Sequence, residues 1–314
     1  MAEQIYDVII IGAGPAGLTA ALYCGRYRMR TLLLEKMVVG GQILLSASIE
    51  NFPGFPQGVV TAELIERMKK QIENLNIFEK NAEATGINIK QHEGYPLFTV
   101  NTTEGDFQAY SLIIATGAHW KRLGVPGEQR FIGKGVSFCG TCDAPLFRKK
   151  EICVVGGGDK AIEEAIFLSG YASKVTVIHR RATLRAIEIL QEQAKAKPNI
   201  SFIFNSVVTE IKGDNTLEGV YIRSLNTEEK TFISCQGVFI FIGIQPNTEF
   251  LKGIIDLDDS GFVKVNSRKQ TSCAGIFACG DCIEKHLYQV ITACAEGAEA
   301  AHSAHNYILH QHRK

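Results

Sequence analysis

Chemistry in this sequence is most concentrated at Ser137-Phe138-Cys139-Gly140-Thr141-Cys142-Asp143, where two thiols lie three residues apart and a carboxylate follows the second. A C-x-x-C is either a redox dithiol or half of a tetrahedral zinc site. The elements around it must decide between the two.

Two glycine turns flank that segment. Tyr6 to Ile11 reads as a buried parallel strand and runs directly into Gly12-Ala13-Gly14-Pro15-Ala16-Gly17, after which Leu18, Ala21 and Leu22 begin a helix. In such a turn the first glycine allows the tight bend, the second lets a pyrophosphate approach the backbone, and the third packs helix on strand. The next strand, Thr31 to Leu34, ends in Glu35. A carboxylate about 20 residues after the turn is where a ribose hydroxyl needs an acceptor. The same grammar returns after the dithiol: strand Glu151–Val155, turn Gly156-Gly157-Gly158-Asp159-Lys160-Ala161, helix Ile162–Ser169 and strand Lys174–Ile178. This second strand ends in His179-Arg180-Arg181, with Arg185 close behind, instead of an acid. Guanidiniums at the ribose position suit a 2′-phosphate through charge-assisted, bidentate bonds, which points to NADPH and away from NADH.

Bulk properties bound the remaining classes. The 314 residues suggest about two domains. The 33 basic residues cancel 33 acidic ones, so no net field draws the chain to nucleic acid or anionic lipid. No apolar run reaches the roughly 18 residues of a membrane helix, and no signal-peptide pattern opens the chain, so cytoplasm is the expected location. The nine cysteines are odd in number and scattered, unlike a secreted disulfide framework. Most of them read as reduced, buried, small apolar residues.

Between the turns, Gly40-Gly41-Gln42 and Glu50-Asn51-Phe52-Pro53-Gly54 read as loops, with Gln42 and Asn51 as polar contacts for a ligand. Leu64, Met68 and Ile72 predict an amphipathic helix within 61–75, and residues 76–110 read as strands and turns of open register. Residues 111–117 form an apolar strand ending Thr-Gly, residues 200–235 alternate like β-structure, and 237–243 read as a further buried strand. A short strand from Gly275 runs into Gly280-Asp281, where a further polar part of the first cofactor can be held. An alanine-rich helix follows from Ile291 to Ile308, with His305 to Lys314 expected to fray. The expected fold is α/β, with two Rossmann-like (three-layer ββα) nucleotide-binding domains. Domain crossings near 118 and 246 divide the chain into 1–118, an inserted 119–246, and 247–314.

Taken in order, these motifs resemble the low-molecular-weight, bacterial-type thioredoxin reductases over essentially the whole chain. The resemblance rests on the two glycine turns, Gly40-Gly-Gln42, Glu50-Asn-Phe-Pro-Gly54, Ala115-Thr116-Gly117, Cys139-Gly-Thr-Cys-Asp143, His179-Arg-Arg181, Ala278-Cys-Gly280-Asp281 and Gln289-Val290-Ile-Thr292. It implies FAD in the first domain, NADPH in the inserted one, a homodimer, and thioredoxin or a thioredoxin-like protein as partner. It implies that Cys142 lies against the flavin, that Cys139 attacks thioredoxin, and that Asp143 moves the proton. Disulfide exchange needs a thiolate attacker and a protonated leaving group, which agrees with a carboxylate beside the pair. The resemblance also implies docking of thioredoxin at Lys134, Leu146 and Phe147, and rotation of the inserted domain about the two crossings.

The chain departs from the family pattern at four places. Asp159-Lys160 stands where Asn or Asp with Ser or Thr is usual, and Ala144 where Gly is usual. Tyr288 replaces an arginine, which takes a cation from the flavin neighbourhood. Cys279 and Cys282 make a second C-x-x-C around Asp281. A zinc site shared by both pairs would have halves far apart in the chain, unlike the short spacings of zinc ribbons. The second pair is either a further redox pair or two small core residues, the latter being the expectation, and no metal is expected. The alternative function is a flavin dithiol oxidoreductase on the same scaffold, with reduced ferredoxin or flavin as donor or with oxidation of a small-molecule dithiol. Arg180, Arg181 and Arg185 argue against it, since such an enzyme need not bind NADPH. A non-catalytic nucleotide sensor would have no use for the Cys-x-x-Cys-Asp.

Overall fold

The computed structural model describes residues 5–45, 48–92 and 94–311. The chain divides into two compact units, Met1–His119 with Gln245–Lys314, and Trp120–Ile244.

The first unit is organised on a seven-stranded sheet. Its labelled strands are β1 (Ile5–Ile11), β2 (Thr31–Glu35), β3 (Ile77–Asn81), β4 (Ala84–His92), β5 (Tyr95–Thr102) and β6 (Gly105–Ile114), in the order β3-β2-β1-β6-β5-β4. β1 pairs in parallel with both β2 and β6, so Ile11 faces Leu34 on one side and Ile114 on the other. The long strand β6 does two jobs. Its first half pairs antiparallel with β5, while residues 112–114 pair in parallel with the strand Ile276–Ala278, which returns from the far end of the sequence. Residues 76–110, of open register in the sequence, become β3 and an antiparallel meander.

Alternation along the strands divides the core between the two faces. Val8, Ile10, Leu33, Ile113 and Phe277 pack on one side with helix α1 (Pro15–Arg26) and with Ala300, Ala301, Ala304 and Ile308 of the C-terminal helix Val290–Gln311. Ile9, Ile11, Leu32, Leu34, Phe98 and Leu112 pack on the other. Each such side chain, fully buried, contributes roughly 1.5–3 kcal/mol. α2 (Thr61–Ile72) buries Leu64, Ile65 and Ile72 and turns the Glu63–Arg67 and Glu66–Lys70 pairs outward. The C-terminal helix does not fray at His305 but continues to Gln311, because Ile308 is still buried. Residues 312–314 lie outside the described residues, as does the opening Met1–Gln4.

The second unit begins its sheet with β7 (Val136–Ser137). It continues through α3 (Gly140–Asp143), β8 (Glu151–Gly156), α4 (Asp159–Ser169), β9 (Lys174–Ile178), α5 (Glu188–Lys195) and β10 (Ile200–Ile203). β11 (Ser206–Lys212), β12 (Gly219–Ser224) and β13 (Lys230–Ser234) form an antiparallel sheet, and β14 (Gly237–Phe241) returns to the parallel one. The parallel order is β7-β14-β8-β9-β10. Ile152, Val154, Val177 and Phe239 bury one face against Ala161, Ile162, Ala165 and Leu168 of α4. Cys153, Val155, Val238 and Ile240 bury the other against Val208, Ile211, Val220 and Ile222 of the antiparallel sheet. Helix, parallel sheet and antiparallel sheet are the three layers of the expected ββα, Rossmann-like arrangement.

Candidate functional site

Cys139 and Cys142 are joined in a disulfide with Cα atoms 5.3 Å apart. The turn that holds them is short and heavily tied. The Cys139 backbone N–H donates to Ser137 Oγ (3.1 Å), which itself donates to the Cys139 carbonyl (3.2 Å), so β7 sets the entry to the turn. Cys139 is the N-cap of α3: its Sγ accepts from the Cys142 N–H at 3.2 Å, as a capping oxygen would. The Asp143 N–H reaches the Cys139 carbonyl at 3.2 Å and closes the turn. Both cysteines are half-buried, Gly140 between them is buried and Thr141 is exposed. A thiolate on Cys139 would meet the same N–H donor, which favours sulfur as nucleophile. Among the described residues no group of three His, Cys, Asp or Glu could hold a metal ion.

One connection past the dithiol, Gly156, Gly157 and Gly158 link β8 to α4. A Cβ at Gly156, where φ is +154°, would crowd Ala161 Cβ at 2.6 Å, so Gly156 and Ala161 together let the helix approach the strand. Gly158 is the N-cap of α4, and a Cβ there would meet only Arg185 Nη2, at 3.7 Å. Arg185 is brought to the turn by its own backbone, whose N–H donates to the Gly157 carbonyl at 2.7 Å. Asp159 Oδ1 accepts from the Ile187 N–H at 2.8 Å and fastens the same segment. Arg180, Arg181 and Arg185 are all exposed. His179 behaves differently from the arginines beside it. Its ring is buried and lies where a Cβ of Gly157 would be, supporting the turn from beneath. Burial, helped by the charges of Arg185, Arg181 and Arg180, holds this imidazole below its ordinary 6.5.

In the first unit, Gly12 at φ +107° and Gly17 admit no side chain: a Cβ would strike the Ala115 carbonyl from one and the Gly12 carbonyl from the other. Gly14 is different, with only the Gly40 carbonyl 3.9 Å from its Cβ position. It caps α1, Pro15 takes the first helical position where no N–H is needed, and Ala16 is buried beside it. The backbone at Gly14 is therefore open to a phosphate at the helix N-terminus. Glu35 Oε2 accepts from the Ala13 N–H at 2.8 Å and Oε1 from the Met37 N–H at 3.0 Å, which fixes the carboxylate beside the turn. The second loop abuts the first: the Gly40 N–H donates to the Ala13 carbonyl at 2.8 Å, and Gly41 and Gln42 start a short 3₁₀ turn. Asn51 Nδ2 reaches Gln289 Oε1 at 3.0 Å, just ahead of Val290 at the start of the C-terminal helix. Thr116 and Gly117 accept from Asn247, through its side-chain Nδ2 (2.9 Å) and its backbone N–H (3.0 Å) respectively. Gly280 and Gly297 both press on Ala16, so the strand end and the C-terminal helix close around the same turn.

Asp281 takes part in a cluster absent from the sequence reading. Lys285, its side chain 8% exposed, pairs with Asp281 (2.9 Å) and Glu296 (3.1 Å), and Glu296 Oε2 accepts from the Gly280 N–H at 2.9 Å. Burial pulls the Lys285 ammonium down, but the two carboxylates outweigh it and hold it above its ordinary 10.5. Its Nζ lies 5.4 Å from the centre of the Tyr288 ring, within cation–π range. The segment that lacks arginine at 288 thus carries a buried cation three residues earlier. Burial, followed by the Asp281 charge, pushes the Tyr288 phenol up to about 12. Asp281 and Lys285 at i, i+4 were a visible signal; Glu296 and Gly297 lay unmarked in an alanine-rich helix. One expectation is corrected. Leu146 is 59% exposed, but Phe147 is buried edge-on against Phe239 at 5.0 Å and is not available to dock a protein.

Comparison with known proteins covers the same length of chain. The family model described as pyridine nucleotide-disulphide oxidoreductase matches residues 6–297. A thioredoxin reductase of Peptoclostridium litorale is 43% identical over 313 residues, 98% of each chain. A thioredoxin reductase of Bacillus subtilis is 40% identical over 308 residues, covering 98% of this chain and 95% of that one. The crystal structure of thioredoxin reductase from Streptococcus pyogenes superposes with a TM-score of 0.92 at 39% identity, covering 98% of this chain and all of that one.

Proposed function

The chain belongs to the pyridine nucleotide-disulphide oxidoreductase family, and we propose from that premise that it is a thioredoxin-disulfide reductase in which Cys139 and Cys142 carry electrons from NADPH and FAD to thioredoxin. The observation that carries this reading is the Cys139–Cys142 disulfide on a capped helical turn, one strand ahead of the Gly156–Gly158 turn, with Arg185 beside that turn and Arg180 and Arg181 exposed after the following strand. Relatives that share this plan at about 40% identity are thioredoxin reductases.

When bound, NADPH and FAD supply the two-electron reduction. Gly12, Gly14 and Gly17 admit the FAD pyrophosphate to the end of α1, and Glu35 offers its remaining lone pairs to the ribose. Gly41, Gln42, Asn51, Ala115–Gly117, Gly280, Asp281, Gln289 and Val290 complete the flavin contacts. Gly156–Gly158, Asp159 and Ala161 receive the second pyrophosphate, Arg180, Arg181 and Arg185 clamp the 2′-phosphate, and His179 holds the turn in shape. Two electrons and two protons convert the Cys139–Cys142 disulfide to two thiols. Cys139 gives its proton to Asp143 and, as thiolate, attacks one sulfur of the thioredoxin disulfide; the departing sulfur takes that proton. Cys142 then gives its proton to Asp143 and attacks Cys139 Sγ, re-forming the disulfide, and the second thioredoxin sulfur leaves with that proton as dithiol thioredoxin is released. Lys134 and Leu146 are the exposed neighbours that meet the protein substrate. The subunits pair as a homodimer in the cytoplasm.

Anaerobic titration of the yellow protein with NADPH, then with oxidised thioredoxin, tests donor and acceptor together. Bleaching by NADPH and recovery on adding thioredoxin are expected. Bleaching without recovery would remove thioredoxin as substrate.

A further inference from the structure

Beneath the dithiol turn lies a charged group that the reaction above leaves unused. Glu164 is on α4, which packs against α3, and its side chain is 6% exposed. Lys160, one turn earlier and largely solvated, holds Glu164 Oε1 at 2.6 Å. Oε2 is buried and has no hydrogen-bond partner among the described residues. It lies instead against Gly140: a Cβ at that position would overlap Oε2 and come within 3.0 Å of the carboxyl carbon. Gly140 follows the Cys139 cap directly and is buried. The carboxylate thus occupies the space that glycine leaves open between the two redox cysteines. Burying such an oxygen without a donor is costly, and a glutamine or leucine would pack there without the charge.

We propose that Glu164 is a positioning residue that sets the reducing power of the dithiol, with Lys160 as its counterweight. This rests on the reading of Cys139 and Cys142 as the redox pair. Two electrons and two protons turn the disulfide into two thiols, and release of one proton leaves a thiolate. The Cys142 N–H stabilises that thiolate on Cys139, whereas the Glu164 carboxylate, buried in a medium of low dielectric, repels it. A dithiol whose thiolate is disfavoured is a stronger reductant wherever thiolate is populated, and Lys160 limits the effect by pairing the carboxylate. The charged residues of the turn and of the helix packed against it are Asp143, Asp159, Lys160, Glu163 and Glu164; of these, Asp159 is held by the Ile187 N–H, Glu163 is exposed, and Glu164 is the one that lies against Gly140.

The test is the equilibrium of the flavin-loaded protein with glutathione redox buffers at pH 9, where thiol and thiolate coexist, read by trapping free thiols with an alkylating mass tag. Glu164→Gln keeps the shape and removes the charge. It should move the equilibrium about fivefold to tenfold toward the dithiol, a rise in potential of up to about 30 mV. Lys160→Thr, which bares the carboxylate, should move it about twofold or more toward the disulfide. A Glu164→Gln equilibrium matching the parent, or both variants moving in one direction, would overturn the inference. Should Glu164→Gln not fold, Lys160→Thr decides alone: no shift overturns. The measurement involves neither NADPH nor thioredoxin, so it can fail while thioredoxin reduction stands. Loss of the redox-pair reading would appear separately, as turnover by Cys142→Ser.

Discussion

The two units share a local plan of strand, glycine turn, helix and strand, and each contains a C-x-x-C, yet only one pair is a disulfide. Cys139 and Cys142 straddle the first turn of a helix, where both sulfurs lie on one side of the backbone. Cys279 follows the strand Ile276–Ala278 as the N-cap of a 3₁₀ turn, and Cys282 is the last residue of that turn. Their side chains enter different cores: Cys279 packs with Val8, Ile10 and α1, Cys282 with Ile9, Ile11 and Val263. Cys282 Sγ donates to the carbonyls of Cys279 (3.2 Å) and Ile114 (3.5 Å). Burial raises both thiols, Cys282 to about 11. Spacing alone therefore does not make a redox pair; the backbone between the cysteines decides whether the sulfurs can meet and whether solvent reaches them. The glycine turns differ in the same instructive way. One is followed by a strand ending in a carboxylate tied to the turn, the other by a strand ending in exposed guanidiniums.

The largest effect should come from breaking the equivalence of the two pairs. Cys142→Ser should retain flavin and NADPH binding while losing thioredoxin turnover by at least about a thousandfold, whereas Cys282→Ala should stay within about twofold and cost about 1 kcal/mol of stability from the cavity. Steady-state assays and thermal melts of both proteins check this, and substantial turnover by Cys142→Ser would end the dithiol mechanism. Next in size, Arg180→Ala with Arg181→Ala should lower kcat/KM for NADPH about a hundredfold, from two charge-assisted bonds of about 1.5 kcal/mol each. NADH, lacking the 2′-phosphate, should change little; equal losses would remove the phosphate clamp.

Two smaller effects sharpen the contrast. In the reduced protein at pH 8, iodoacetamide should label Cys139 and Cys142 within minutes and reach Cys279 and Cys282 only after unfolding, as peptide mapping would show. The smallest is a pH effect in the second unit. His179 has a folded-state pKa below its unfolded one, so the unfolded chain binds the extra proton first. Its contribution to stability is present above pH 6.5 and is lost as pH falls toward the folded value. His179→Gln should flatten the fall in melting temperature between pH 7 and 5.5, and an unchanged slope would show that another group titrates there.

Much of this was legible along the chain because the informative residues are local. Gly12 to Gly17 and Gly156 to Gly158 each lie in one turn, and strong apolar runs such as Ile9–Ile11 and Val238–Phe241 form buried strands wherever they occur. Residues 76–110 were not legible, since a meander with one polar face leaves register to its partners. Phe147 and Leu146 are neighbours of similar hydrophobicity, and only packing against Phe239 shows which is buried. Lys285 and Glu296 were invisible as a pair because their partnership crosses from a loop to a helix.

The sequence by itself determined that a C-x-x-C-Asp lies between two strand–glycine-turn–helix units, because glycine, arginine and cysteine have chemistry that no other residue supplies. Tertiary structure alone decided which C-x-x-C could close and that Lys285 is buried between two carboxylates. It also placed Glu164 under Gly140. Those outcomes depend on distances between segments and on exclusion of water, and neither is encoded in spacing along one chain.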